Sequence, residues 1–83
     1  MSNKVHVEFE YYTTPSHGYL KVPIDYVEFL KYVPTAFSKK GDEFWYLEED
    51  VDAPAIVELL KQYCVPVFLA HQADFVLSKW LHS

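Results

Sequence analysis

The stretch Asp42-Glu43-Phe44-Trp45-Tyr46-Leu47-Glu48-Glu49-Asp50-Val51-Asp52-Ala53-Pro54-Ala55 decides the fold. Phe44 to Leu47 is a run of large, mostly aromatic residues, the composition of a β-strand. It passes directly into four acids within five residues (Glu48, Glu49, Asp50, Asp52). A helix signal follows at once: Asp52 is a suitable N-cap and Pro54 suits the first turn, where its missing N–H costs nothing. Ile56, Leu59, Leu60 and Tyr63 then recur at helical spacing and predict a buried stripe, with Glu58, Lys61 and Gln62 facing water. A strand followed by a helix, with a negative corner between them, is the unit around which the rest is arranged.

The remaining elements follow from period and punctuation. Val5, Val7 and Phe9 alternate with His6, Glu8 and Glu10, which predicts a half-buried strand over Lys4 to Tyr12. Thr13 to Gly18 is a turn, and Tyr19 to Val22 returns as the second strand of a hairpin. Pro23 opens a helix over Ile24 to Tyr32, closed by Pro34 because a residue before proline avoids helical angles. Thr35 to Ser38 and Glu43 to Leu47 read as a second hairpin turned at Lys39-Lys40-Gly41-Asp42. Both faces of Phe44 to Leu47 are apolar, which predicts a central strand or one meeting a partner. Val67 to Ala70 is extended after Pro66. Phe75 to Trp80 reads as a last strand, although Ala73, Val76, Leu77, Trp80 and Leu81 also fit a helix stripe. The sum is ββ-α-ββ-α-ββ: a single α+β domain over residues 1–83, a small antiparallel sheet with two helices packed against it.

Composition bounds the function. Of 83 residues, fifteen are Phe, Tyr or Trp and half are apolar, which suits a cooperative fold rather than a disordered chain. The net charge is −5, and all seven basic residues are lysines. Without a basic face or arginine forks, direct nucleic-acid binding is disfavoured. A basic protein partner suits the charge better, since opposite potentials steer encounter. Seven of the twelve acids lie between Asp42 and Glu58. The longest apolar run, Val65 to Ala70, spans six residues against about 20 for a bilayer crossing, and no signal core follows Met1. A cytosolic protein, in the cytoplasm of a host cell, is expected. Cys64 is the lone cysteine and reads as a small buried hydrophobe.

Chemistry-bearing motifs are sparse. Glu48, Glu49, Asp50 and Asp52 are hard oxygen ligands, and Asp50-x-Asp52 resembles the start of a calcium loop. The glycine and distal glutamate of that loop are missing, and helix capping accounts for the same acids without an ion. His6, His17, His71 and His82 have no metal-ligand spacing. No nucleophile elbow, phosphate loop or dinucleotide fingerprint is present. The chain is therefore read as non-enzymatic, with no cofactor and no metal. The candidate partner-binding residues are Glu48, Glu49, Asp50 and Asp52 at the acidic corner, Trp45 and Tyr46 beside it, and His17 and Tyr19 in the second compact motif. The alternatives are a structural homodimer formed through exposed aromatics and a carboxylate metal-dependent enzyme.

Taken together, His17 to Pro23 (HGYLKVP), the SKKGDEFW stretch, and Tyr46 to Ala53 (YLEEDVDA) resemble a group of small uncharacterised phage and mobile-element proteins. Members read HGWLxVP, a serine- and glycine-containing hairpin, then YLEEDxDA; the resemblance covers residues 17–55. Here Val51 stands where a cysteine is frequent. The group has no established activity, so no catalytic residue carries over. The resemblance implies a phage or mobile-element origin and, if phage, a nucleic-acid-binding host defence complex as a natural target for an acidic inhibitor.

Overall fold

The computed structural model describes residues 3–15 and 17–72. The chain is α+β, with five strands in one mixed sheet and two helices. Strands β1 (His6–Thr13) and β2 (Gly18–Pro23) form the first hairpin, with Tyr11 opposite Leu20 and Thr13 opposite Gly18. Thr14 closes its turn: the backbone N–H donates to the His17 carbonyl at 2.7 Å and the side-chain hydroxyl receives the His17 N–H at 3.0 Å.

Helix α1 (Ile24–Phe29) begins directly after Pro23 but ends before Tyr32, where proline punctuation alone would have placed its end. The cause is a Schellman cap. Lys31 N–H donates to the Glu28 carbonyl at 3.0 Å and Tyr32 N–H to the Val27 carbonyl at 3.2 Å. This wrap requires a left-handed residue, and Lys31 supplies it with φ of 56°.

The expected strand over Thr35 to Ser38 is not formed. Its pairing is reduced to β3 (Lys39–Lys40), against β4 (Phe44–Glu48), with Lys39 opposite Tyr46. Thr35 and Ser38 instead direct their polar groups at Asp52 and at one another, Ser38 N–H donating to the Thr35 carbonyl at 3.2 Å. Local side-chain hydrogen bonds have displaced a sheet ladder. Gly41 N–H closes the loop onto the Phe44 carbonyl at 2.8 Å.

Helix α2 (Asp52–Leu60) leads into β5 (Val65–Gln72). The strand order is β3-β4-β2-β1-β5, and the sheet is not antiparallel throughout. β5 lies parallel to β1 over eight pairs, from His6 opposite Val65 to Thr13 opposite Gln72. A helix returns the chain across the sheet, so β5 starts at the end from which β4 started. Since β2 is antiparallel to both β1 and β4, β5 must run with β1. The expected final strand Phe75 to Trp80 lies outside the described residues.

By register, Phe9, Leu20, Val22 and Leu47 share one sheet face. They join Val27 of α1, Ala53, Ile56 and Leu60 of α2, and Cys64 in one buried cluster. Cys64 is buried as expected. Tyr63, assigned to the helix stripe by spacing, lies beyond the end of α2 and is exposed. The opposite sheet face carries a polar and aromatic lattice. Lys21 Nζ meets Glu10 Oε2 at 3.1 Å and lies 4.2 Å from the Phe44 ring centroid, while Tyr12 stacks on His71 at 5.3 Å.

Candidate binding cleft

Antiparallel pairing of β2 with β4 sets Tyr19 opposite Glu48. The starts of the two sequence motifs thus lie side by side, although some thirty residues separate them. Glu49 N–H donates to the Gly18 carbonyl at 2.9 Å and locks the junction. Around it lies a cleft of about 410 Å³ lined by His17, Tyr19, Ala36, Phe37, Lys39, Glu48, Asp50 and Val51.

The three consecutive acids converge. Glu48, Glu49 and Asp50 each bring a carboxylate oxygen within 4.8 Å of the others. Their surroundings differ. Glu48 is buried, with one oxygen accepting the Asp50 N–H at 2.9 Å and the other 4.0 Å from His17 Nδ1. Its backbone N–H donates to Ser38 Oγ at 2.9 Å. Glu49 accepts the Tyr11 hydroxyl. Burial, then this bond and the nearby Glu49, Asp50 and Glu48 charges, push the Tyr11 phenol up, so it remains a neutral donor. Asp50 is exposed at the rim. Tyr19 is buried, and that burial together with the Glu48 charge raises its phenol as well. Phe37 remains 66 % exposed at the mouth.

Asp52 does not belong to this surface. It is fully buried, and it is not the N-cap of α2; that position is Val51, which makes no side-chain cap bond. Its carboxylate turns inward and accepts the Tyr32 hydroxyl at 2.5 Å, Thr35 N–H at 2.9 Å, Thr35 Oγ1 at 2.8 Å and the Ser38 hydroxyl. With no exposed area it is closed to the surface. Burial acts to raise this carboxyl, but the bonds from Ser38, Tyr32 and Thr35 outweigh it and hold the group below its ordinary value. Asp52 is the knot that fixes the loop carrying Phe37 against the start of α2.

Trp45, Tyr46 and Glu49 also stand outside the cleft lining, Glu49 bordering instead a groove with Tyr11, Ala53, Pro54 and Phe68. Trp45 packs against the core from the helix face, with Lys40 Nζ 5.9 Å from its ring centroid. Tyr46 points the other way and meets Tyr12 at 6.3 Å. Sequence reasoning missed Phe37, Lys39 and Val51 as cleft residues and Tyr11 as the partner of Glu49. The hydroxyls of Thr35 and Ser38, spaced by three, were the one available signal that this segment serves a carboxylate rather than a ladder.

The chain matches no protein-family model, no curated protein and no solved structure. Among the described residues, no helix is long and apolar enough to cross a membrane.

Proposed function

We propose that this is a small non-catalytic binding protein whose cleft receives a cationic side chain from a protein partner. The observation that carries this reading is the meeting of Glu48 and Asp50 on the cleft lined by Tyr19 and Phe37, with a carboxylate oxygen of Glu49 within 4.8 Å of theirs. A lysine or arginine entering there meets carboxylate oxygen at its head, while its apolar stem lies along aromatic surface. Lys39 on the lining sets the limit for a second positive group and orients the first. The resemblance of residues 17–55 to phage proteins supports a host protein as the partner. A nucleic-acid-binding defence complex is the natural class, because its grooves are lined with basic residues that an acidic protein can occupy.

The test is capture from host lysate at low and high salt, followed by affinity measurement with the partner obtained. Asp50 is exposed and its side chain takes no part in the core, so Asp50→Lys leaves the fold intact. Reversal of one rim charge beside two further acids weakens binding about tenfold at low salt, and less at high salt. Unchanged affinity in Asp50→Lys, or affinity indifferent to salt, sinks the reading.

The same three carboxylates support a second reading, a divalent-cation site of a metal-dependent enzyme. Its geometry offers oxygen ligands only from Glu48, Glu49 and Asp50, Asp52 being turned away. Calcium or magnesium titration followed by thermal unfolding separates the two. A midpoint raised by micromolar cation, and not in Asp50→Asn, favours the metal.

A further inference from the structure

Among the described residues, the two outer strands of the sheet are unlike. β3 is two residues long and both are lysine, a guarded edge. β5 runs eight residues as Val-Pro-Val-Phe-Leu-Ala-His-Gln with no carboxylate or lysine. Among the described residues it pairs only with β1. Val65, Phe68 and Leu69 are each about 40 % exposed. Val65 N–H donates to the Val5 carbonyl at 2.8 Å, so Val65, Val67, Leu69 and His71 direct their backbone groups at β1. The groups of Pro66, Phe68, Ala70 and Gln72 therefore point outward. Pro66 sits where its missing N–H costs the sheet nothing, the placement of proline on an edge strand.

We propose that β5 is the homodimer seam of this protein, pairing antiparallel with β5 of a second copy about a twofold axis at Leu69. The outward groups are self-complementary in that register. Phe68 and Ala70 of the second copy exchange both backbone hydrogen bonds, and symmetry repeats the exchange. Each Gln72 N–H meets the Pro66 carbonyl across the seam. Side chains match as well: the large Phe68 lies beside the small Ala70 of the second copy on the helix face, and Leu69 meets Leu69 of the second copy on the other. No charge is buried. The seam and the cleft lie on different parts of the sheet, so the dimer does not depend on the cleft reading. A single strand pair is a small interface, which sets dissociation in the micromolar range.

Sedimentation of the full chain from about 1 to about 300 µM tests this. The expected result is a reversible monomer–dimer equilibrium. Ala70→Pro removes only an outward N–H, as Pro66 already does, so it keeps the thermal midpoint and weakens the dimer about tenfold or more. Leu69→Lys, which sets two ammonium groups opposite one another at the axis, weakens it too, while Asp50→Lys does not. A monomer at every concentration overturns the proposal. So does a dimer unmoved by both seam variants. A lowered midpoint in Ala70→Pro with the mass of a monomer also overturns it, since the outer edge is then used within one chain.

Discussion

Tyr32 donates its hydroxyl to the Asp52 carboxylate at 2.5 Å and joins the exit of α1 to the start of α2. Twenty residues separate the pair in sequence. Thr35 and Ser38 complete the shell, so a fully buried charge is satisfied by neutral donors alone. Asp52→Ala leaves several buried donors without an acceptor. The expected loss is about 2–4 kcal/mol, read from urea unfolding. Stability of a chain this size is about 4–12 kcal/mol, so the variant is marginal or unfolded. Tyr32→Phe removes one donor of several and costs about 1–2 kcal/mol.

The same knot sets the pH range of stability. The folded Asp52 carboxyl holds its proton less readily than the unfolded one, so the unfolded chain takes up more protons in acid. Its contribution is present above the ordinary carboxylate range and is lost as pH falls through that range. Tyr32 has the opposite sign. Burial, then its bond to Asp52, push the phenol up to about 12, so its contribution is present below the ordinary tyrosine value and is lost as pH rises toward 12. Unfolding free energy measured against pH is expected to fall at both ends, and Tyr32→Phe flattens the alkaline limb.

Lys31 occupies a left-handed backbone conformation that glycine adopts without a steric penalty. Lys31→Gly keeps the Schellman bonds and relieves the strain, partly offset by the greater freedom of glycine in the unfolded chain. The expected gain is about 0.5–1 kcal/mol, or a thermal midpoint higher by about 4 °C. Lys31→Val lowers it, since a branched Cβ fits that region worst.

Gly18 is required by close approach. A Cβ at Gly18 would overlap the Tyr11 hydroxyl and lie 2.6 Å from the nearer Glu49 carboxylate oxygen. Gly18→Ala must therefore part Tyr11 from Glu49, at a cost of about 1–2 kcal/mol in chemical unfolding. Freed from its donor, the Glu49 carboxylate raises the negative potential at the cleft. Cation affinity per folded molecule is expected to hold or rise while stability falls.

Burial and period made much of this molecule legible without coordinates. The β1–β2 hairpin, both helix starts, the α2 core residues Ile56 and Leu60, and buried Cys64 all follow from patterns a few residues long. That Glu48, Glu49 and Asp50 lie near one another follows from adjacency, but not that Glu49 turns to Tyr11 while Glu48 turns to His17. What failed did so where a residue answers to something distant. Asp52 has the local signature of a helix cap, and only the loop from Tyr32 to Ser38 turns it into a buried knot. Thr35 to Ser38 reads as a strand until that carboxylate competes for its donors. Lys31 gives no hint of a left-handed turn, since lysine prefers helix and takes this shape only because Tyr32 must reach back to Val27.

The chain alone determined which residues seek burial, where helices begin, and that its negative charge gathers at one corner; these depend on side-chain chemistry and short-range periodicity. Tertiary structure decided the parallel pairing of β5 with β1, the meeting of His17 and Tyr19 with Glu48, and the withdrawal of Asp52 from the surface. Each is a contact between residues far apart in sequence, whose free energy is realised only when the whole core closes and the remote groups arrive together.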